Sequence, residues 1–406
     1  MALVAEPDPG TQQFVNLLLA TWTSVICFWA WNLVGPLSMQ YATQMSLSAN
    51  QQALMVATPI LVGALGRIAT GQMTDRFGGR TMFIGVSLAS IIPVLVVGYA
   101  AKIGSYPLMV GAGFFLGVAG TVFAIGIPFA NNWFAPERRG FATGVFGMGM
   151  AGTAASAFFT PRFVNRFGLF ATHVIVAVAL AATALLCVAV MTNGPRFVPN
   201  TASALPKLKA AAKLRVTWEM SVLYALVFGG FVAFCNYLPI YIKTIYDFSA
   251  VGAGERTAAF AMAAVFARLL GGTLADHIAP KYVVLAALAG VAAQTVMAVL
   301  HPPADLWTGL TFIPLAVALG IGTGGVFAWV SRRAPAGSIG SVTGIVAAVG
   351  GLGGYFPPLV MGATYDPVHN NYTVALMMLV ATAVILFGYT AIFLHAHEAS
   401  TPGSTS

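Results

Sequence analysis

Two arginines lie inside long apolar stretches of the sequence, where charged side chains are rare. Arg67 stands in "ALGRIATGQMTD" (64–75) and Arg268 in "VFARLLGGTLAD" (265–276), each eight residues before an aspartate. If those aspartates mark a membrane boundary, each arginine lies about 12 Å deep, near the midplane of a hydrocarbon core about 30 Å thick. A guanidinium costs about 2.5–3.5 kcal/mol there on insertion scales, so each arginine must face a cavity or a partner.

The obvious partner, an embedded carboxylate, is missing from the predicted apolar segments. The chain has eleven acidic residues, which we place in loops, tails or helix ends: Glu6, Asp8, Asp75, Glu137, Glu219, Asp247, Glu255, Asp276, Asp305, Asp366 and Glu398. Two cations without a matching anion predict that the substrate supplies the negative charge. The alternative is that both arginines bond backbone carbonyls and hold helices together.

The guanidinium group limits which anions suit such a pair. It is planar and offers two parallel N–H donors, which match planar oxyanions such as nitrate, nitrite or a carboxylate. Two arginines around one small anion leave a net positive site when no anion is bound. A large hydrophobic drug would not need that charge.

The other residue types indicate no catalytic or cofactor chemistry. Cys27, Cys187 and Cys235 fall within apolar stretches at no metal-ligand spacing. The sequence has no histidine cluster, GxSxG motif or P-loop. We therefore predict that the protein is not an enzyme and uses neither a metal nor a cofactor.

Composition and hydropathy identify the elements that must carry the arginines. Of the 406 residues, 58% are hydrophobic and 7% are charged, too little charge to cover a soluble protein of this size. We predict an all-α polytopic membrane protein, because apolar stretches of about 20 residues recur along almost the whole chain. The twelve predicted helices span 15–42, 53–74, 81–101, 106–132, 140–160, 169–191, 218–243, 254–275, 281–300, 307–330, 340–362 and 371–395.

One long polar interruption divides these helices six and six. We predict an N-terminal six-helix bundle over 1–191, a cytoplasmic linker over 192–217, a C-terminal six-helix bundle over 218–395 and a disordered tail over 396–406. Twelve of the 19 Lys and Arg residues fall in alternate loops that include the linker. The positive-inside rule therefore predicts that both termini are cytoplasmic in a cell membrane, and the net charge of +8 does not argue for nucleic acid.

The two halves repeat at an offset of about 200 residues. Arg67, Gly71, Asp75 and Arg80 correspond to Arg268, Gly272, Asp276 and Lys281, and "FWAWNLVGP" (28–36) is similar to "FVAFCNYLP" (231–239). Two parallel six-helix repeats are typical of carriers that hold substrate midway across the membrane between two rocking bundles.

The stretch "GQMTDRFGGR" (71–80) resembles the G-x-x-x-D-R-x-G-R-[RK] loop of the major facilitator superfamily, with one extra glycine before the last arginine. The resemblance covers essentially the whole chain and implies two bundles related by a pseudo-two-fold axis. It also implies that residues of this loop and its repeat operate the cytoplasmic gate: Gly71, Asp75, Arg76, Arg80, Asp276 and Lys281. The alternative is that these residues have only a structural role and cap helix ends.

A second resemblance concerns the cargo. The fifth and eleventh helices are rich in glycine, "TGVFGMGMAGTAASAF" (143–158) and "TGIVAAVGGLGGYFPP" (343–358), like the paired signatures of the nitrate/nitrite porter family. Together with the arginines, this resemblance implies a planar anion held between Arg67 and Arg268 and flanked by the rings of Phe123, Tyr224 and Phe228. The family's helix 5 asparagine is replaced here by Gly147, so Thr143, Thr343, backbone amides or water would supply the polar contact.

The predicted function is therefore a secondary transporter of a small planar oxyanion, with nitrate/nitrite exchange slightly favoured over nitrate/proton symport. Exchange is favoured because no titratable acid lies in the predicted path. Transport of formate, oxalate, cyanate or another organic acid, and drug efflux, remain alternatives on the same fold. A sensor without transport activity is disfavoured by the absence of a soluble domain. A monomer in the lipid bilayer is the default for this architecture.

Overall fold

Long helices build the whole described structure. The computed structural model describes residues 9–135, 138–200, 205–301, 303, 306–335 and 338–394. Within these residues, twelve helices are long and apolar enough to cross a membrane. They are α1 Gly10–Met45, α2 Ala49–Phe77, α3 Gly79–Ile103, α4 Tyr106–Trp133, α5 Phe141–Phe167, α6 Leu169–Val190, α7 Arg215–Tyr246, α8 Ala250–His277, α9 Pro280–Val299, α10 Gly309–Arg333, α11 Ile339–Ala363 and α12 Thr373–Phe393. The predicted fold class is confirmed, and most helices extend a few residues beyond the apolar stretches.

Several helices are interrupted where proline or glycine weakens the backbone ladder. Helix α1 breaks between Trp31 and Val34, because Pro36 has no N–H to donate to the carbonyl of Asn32. Helix α11 breaks between Leu352 and Phe356, just after its glycine-rich stretch. Helices α4 and α5 tighten into 3-10 turns at Gly117–Thr121 and Met148–Met150.

The linker between the two halves is partly ordered against the first half. It contains a short helix, Leu205–Ala212, and α7 then begins at Arg215. The backbone N–H of Asn200 donates to the carbonyl of Asp75 over 2.9 Å. The end of the molecule that carries this linker is called the linker end below, and the opposite end is called the far end. The predicted tail, 396–406, lies outside the described residues.

The two bundles approach each other most closely in the half of the molecule nearer the far end. Three glycines there allow backbone contact between helices of opposite bundles. A Cβ added to Gly35 of α1 would lie 2.9 Å from the carbonyl oxygen of Asn236 on α7, and one added to Gly254 of α8 would lie 2.3 Å from the carbonyl oxygen of Ala157 on α5. The third, Gly362 of α11, abuts the start of α2 in the same way. An exposed ion pair between Arg162 and Glu255 also joins α5 to α8.

The linker end is less tightly closed between the bundles. Gly71 and Gly272 lie one helical turn beyond Arg67 and Arg268, on the same helix faces. A Cβ added to either glycine would meet no atom within 4 Å, and the same holds for Gly340 of α11. The described bundles are therefore closed toward the far end and more open toward the linker end.

Candidate anion-binding site

Arg67 lies midway along α2 and reaches across to the opposite bundle. Its side chain is 3% exposed, and its Nη1 donates a hydrogen bond of 3.0 Å to the carbonyl oxygen of Ala347 on α11. Its Nε has no hydrogen-bond partner among the described residues. The alternative in which arginine bonds backbone is thus partly realised, but one buried N–H of the same guanidinium stays available.

Arg268 occupies the equivalent position on α8 and is only partly buried. Its Nη1 lies 3.0 Å from the thioether sulfur of Met150 on α5. Sulfur is a weak acceptor, so this contact leaves most of the donor capacity of the guanidinium unused. The two guanidinium groups also repel each other, which an anion between them would relieve.

The aromatic ring of Phe123 contacts both cations. The guanidinium carbon of Arg67 is 5.4 Å from the centre of that ring, and that of Arg268 is 5.1 Å from it. Phe228 lies 5.1 Å from Arg67 by the same measure, and Phe327 lies 5.5 Å from Arg268. Cation–π contacts of this kind each contribute about 0.5–2 kcal/mol when water is excluded, so the rings help to hold both guanidinium groups in the core.

Tyr224 completes the aromatic wall on α7. Its ring stacks on Phe228, with 4.7 Å between ring centres and an interplanar angle of 6°, and meets the edge of Phe327 at 4.6 Å. Its hydroxyl is buried, interacts electrostatically with both arginines and has no well-aligned hydrogen-bond partner among the described residues. The hydroxyl oxygen therefore interacts with Arg268, while its O–H group remains available to donate.

Carboxylates do not neutralise this site in the described part of the chain. Neither Arg67 nor Arg268 takes part in an ion pair there. The buried acid of the described helices, Glu219, lies near the linker end of α7 and pairs with Arg215 at 2.7 Å and Arg333 at 2.9 Å. Five of the eleven acids lie outside the described residues: Glu6, Asp8, Glu137, Asp305 and Glu398.

The glycines of α11 explain how bulky side chains fit around the site. A Cβ on Gly350 would lie 2.4 Å from the Tyr224 ring, and a Cβ on Gly351 would lie 3.4 Å from Nη1 of Arg67. Gly147 on α5 differs, because a Cβ there would meet nothing within 4 Å. The space beside Gly147 is consistent with the predicted loss of a larger side chain at this position.

The two predicted threonine ligands are not brought into contact with the arginines. Thr343 lies one helical turn from Ala347 toward the linker end, and Thr143 lies about two turns from Met150 in the same direction. Both are partly exposed, and neither hydroxyl bonds a guanidinium among the described residues. Their predicted contact with the anion stays a prediction.

The predicted gate residues lie at the linker end, where each contacts its own bundle. Arg80 donates to the carbonyl of Val188 at the end of α6, and Lys281 donates to the carbonyl of Ala391 at the end of α12. Asp75, Arg76 and Asp276 are exposed. Arg80 and Lys281 therefore cap helix ends of their own bundles, and none of the described gate residues makes an ion pair between the bundles.

Three residues that contact the arginines were not predicted from the sequence: Ala347, Met150 and Phe327. A signal for Phe327 exists, since it follows the glycine-rich run "GIGTGG" (320–325) on α10, and α10 is the repeat equivalent of α4, which carries Phe123. Met150 gives no such signal, because a methionine in a membrane helix is usually packing.

Comparisons with known proteins agree with the twelve-helix fold. Residues 18–358 match the family model described as Major Facilitator Superfamily. A Mycobacterium tuberculosis (strain ATCC 25618 / H37Rv) protein named probable nitrate/nitrite transporter NarK2 is 69% identical over 386 residues, covering 95% of this chain and 97% of that protein. A Bacillus subtilis (strain 168) protein named nitrite extrusion protein is 33% identical over 93% of each chain. The fold is similar to that of the E. coli xylose transporter XylE in an inward open conformation, with a TM-score of 0.73 over 96% of this chain and 98% of that one at 14% identity.

Proposed function

The chain belongs to the major facilitator superfamily, and within it to the nitrate/nitrite porter family, and on that premise we propose that it carries nitrate and nitrite across the cell membrane. Its relatives are named as transporters, so it is a membrane carrier and not an enzyme. The anion is held between Arg67 and Arg268 against the rings of Phe123, Tyr224 and Phe228.

A single observation carries this proposal: two guanidinium groups, one from each bundle, contact the same buried ring without a carboxylate beside them in the described chain. The unpartnered Nε of Arg67 and the O–H group of Tyr224, whose oxygen interacts with Arg268, add two buried donors at the same place. Nitrate and nitrite are planar oxyanions that can accept from such donors, and their π faces can pack against aromatic rings.

Direct binding of nitrate to the purified protein tests the site. We expect Arg67→Lys and Arg268→Lys each to weaken binding by about 10- to 100-fold, because lysine keeps the charge and loses the planar pair of donors. Arg166→Lys is the matched control, since Arg166 is exposed near the far end of α5. Unchanged nitrate affinity in both site variants would refute the site.

We infer that the transporter exchanges nitrate for nitrite. The two unneutralised cations disfavour closure of the bundles around a site without an anion, whereas a bound anion lowers that barrier. Glu219, the buried acid described above, is paired and lies away from the arginines, so it is poorly placed to carry a proton with the substrate. Counterflow of nitrate against nitrite in proteoliposomes tests exchange, and uptake driven by a pH gradient into vesicles without internal anion would refute it.

Rocking of the two bundles around the arginines then moves the anion. The linker end faces the cytoplasm according to the positive-inside rule, and the far end faces outward. When the bundles rock, the linker end closes and the glycine contacts at the far end separate. The residues that close the linker end are the predicted gate residues Gly71, Asp75, Arg76, Arg80, Asp276 and Lys281. Labelling of a cysteine introduced at Arg166 from the outside of intact cells tests this orientation.

The choice of anion is tested by competition. Nitrite should compete with nitrate, because it shares the planar O–N–O group. Oxalate, a dianion, and cyanate, a linear anion, should compete weakly or not at all. Formate is a planar monoanion like nitrite, so the order of formate and nitrite is the discriminating comparison. Stronger competition by formate or oxalate than by nitrite would transfer the proposal to an organic acid.

The carrier acts as a monomer, which sedimentation in detergent checks.

A further inference from the structure

A layer of buried polar side chains lies beyond the arginines, on the side toward the far end. Thr153 of α5 lies one turn beyond Met150, and Asn236 of α7 lies eight residues, or about 12 Å, beyond Phe228. Asn32 lies in the break of α1 and contacts Thr153. All three side chains are buried. The layer therefore begins about one helical turn from the proposed site.

Asn32 is incompletely bonded although it is fully buried. Its Nδ2 donates to the carbonyl of Thr153 at 3.4 Å, and its backbone carbonyl, which the break in α1 releases, accepts from the hydroxyl of Ser156 at 3.1 Å. Its side-chain Oδ1 has no partner among the described residues. A buried amide oxygen without a partner is unfavourable in this conformation.

The layer lies at the interface between the two bundles and not within one of them. Gly35 of α1 brings the backbone so close that a Cβ there would stand 3.2 Å from Oδ1 of Asn236 on α7. The hydroxyl of Thr153 on α5 lies against the thiol of Cys235 on α7. Helices of the N-terminal bundle thus meet α7 of the C-terminal bundle through polar groups.

Apolar side chains would seal this interface at lower cost than asparagines do. Thr153 already donates its hydroxyl to the carbonyl of Met150, and Asn236 donates Nδ2 to the carbonyl of Val232, each over 2.9 Å. Oδ1 of Asn32, by contrast, gains a donor only if the interface opens and admits water. We propose that Asn32, Thr153 and Asn236 line the far-side access path, and that the amide N–H groups of the two asparagines receive the anion as it moves between Arg67 and Arg268 and the far side. This inference rests on the proposed function, since it assigns a path to the same anion.

Cys235 provides a native reporter for this path. In a Cys27→Ser, Cys187→Ser background, Cys235 is the remaining thiol, and a small membrane-impermeant thiosulfonate is added to one side of proteoliposomes that exchange nitrate. We expect modification from the far side and not from the linker side. The matched control keeps Cys187 alone, a thiol between α1 and α6 within one bundle, and should stay unmodified. Equal, slow modification of Cys235 and Cys187 would overturn the inference.

Substitution of Asn236 gives a second, independent measurement. We expect Asn236→Leu to slow nitrate exchange by about tenfold, as for loss of one hydrogen bond to a charged group, while nitrate still binds with parental affinity because the arginines are intact. Asn236→Ser should recover part of the rate, and Asn165→Leu, an exposed asparagine of α5, is the control. A parental exchange rate in Asn236→Leu would overturn the inference.

Failure of the proposed function and failure of the assigned path give different experimental results. If the parent protein does not bind nitrate, the proposed function fails. If the parent binds and exchanges nitrate while Cys235 stays unreactive and Asn236→Leu exchanges normally, the function stands and only the assigned path is wrong.

Discussion

Arg67 donates a hydrogen bond of 3.0 Å to the carbonyl oxygen of Ala347, and these residues belong to opposite bundles. The arginine therefore connects α2 to α11. Because Nη1 makes this contact, Nε remains the free donor on the same group. A lysine at this position keeps the charge and three donors on one nitrogen, but it lacks the planar fork that presents parallel N–H groups to an anion.

The hydroxyl of Tyr224 should contribute to anion binding. We expect Tyr224→Phe to weaken nitrate binding by about tenfold, because the hydroxyl is buried beside both cations without a well-aligned partner and is free to donate to the anion. Titration of the purified variants by calorimetry measures the affinity. Tyr99→Phe is the control, since Tyr99 is exposed on α3. Equal affinity in Tyr224→Phe and the parent would exclude the hydroxyl from the site.

Gly350 and Gly344 form a matched pair on α11. A methyl group at Gly350 would lie 2.4 Å from the Tyr224 ring, which cannot retreat easily because Phe228 and Phe327 pack on it. A methyl group at Gly344 meets no atom within 4 Å. We expect Gly350→Ala to lose most nitrate binding through displacement of Tyr224, and Gly344→Ala to bind normally, although both changes favour helix by up to about 1 kcal/mol. Similar affinities in the two variants would show that this packing does not matter for the site.

The far-end contact of Gly254 should control which end is closed. Gly254→Ala places a Cβ 2.3 Å from the carbonyl oxygen of Ala157, and overpacking of this kind costs about 1–3 kcal/mol. We expect the bundles to separate at the far end, seen as a longer distance between spin labels at Arg166 and Ser249. Gly272→Ala on the same helix is the control, because that position has open space. An unchanged distance distribution in Gly254→Ala would contradict the role given to this glycine.

Glu219 should contribute to the folding stability of the protein and not to the coupling of transport to protons. Its carboxylate is nearly buried and pairs with Arg333, whose side chain is 22% exposed, and with the more exposed Arg215. Glu219→Gln should lower the free energy of unfolding by about 1–3 kcal/mol, because Arg333 loses its counter-charge. Thermal unfolding measures this loss, with exchange retained at permissive temperature. Loss of a pH-driven uptake in a stably folded Glu219→Gln protein would instead make Glu219 a proton carrier and favour symport.

The sequence alone determined the features that depend on local composition. Hydropathy predicts the twelve helices, because a membrane imposes the same length and apolarity on every crossing segment. The repeated spacing from Arg67 to Asp75 and from Arg268 to Asp276 predicts two buried cations at equivalent depths. Tyr224 and Phe228, four residues apart, were predicted to share a helix face, and their stacked rings confirm it.

Only the tertiary structure decided which groups meet across helices. Ala347, Met150 and Phe327 contact the arginines through the rotation and tilt of α11, α5 and α10, which depend on packing between helices and leave no local pattern in the sequence. For the same reason Thr143 and Thr343, predicted from their place in the repeat, make no contact with the guanidinium groups of the described structure. The contacts between the two bundles are the hardest to predict from sequence. A carrier has two conformations of similar free energy, and the same sequence specifies both sets of contacts.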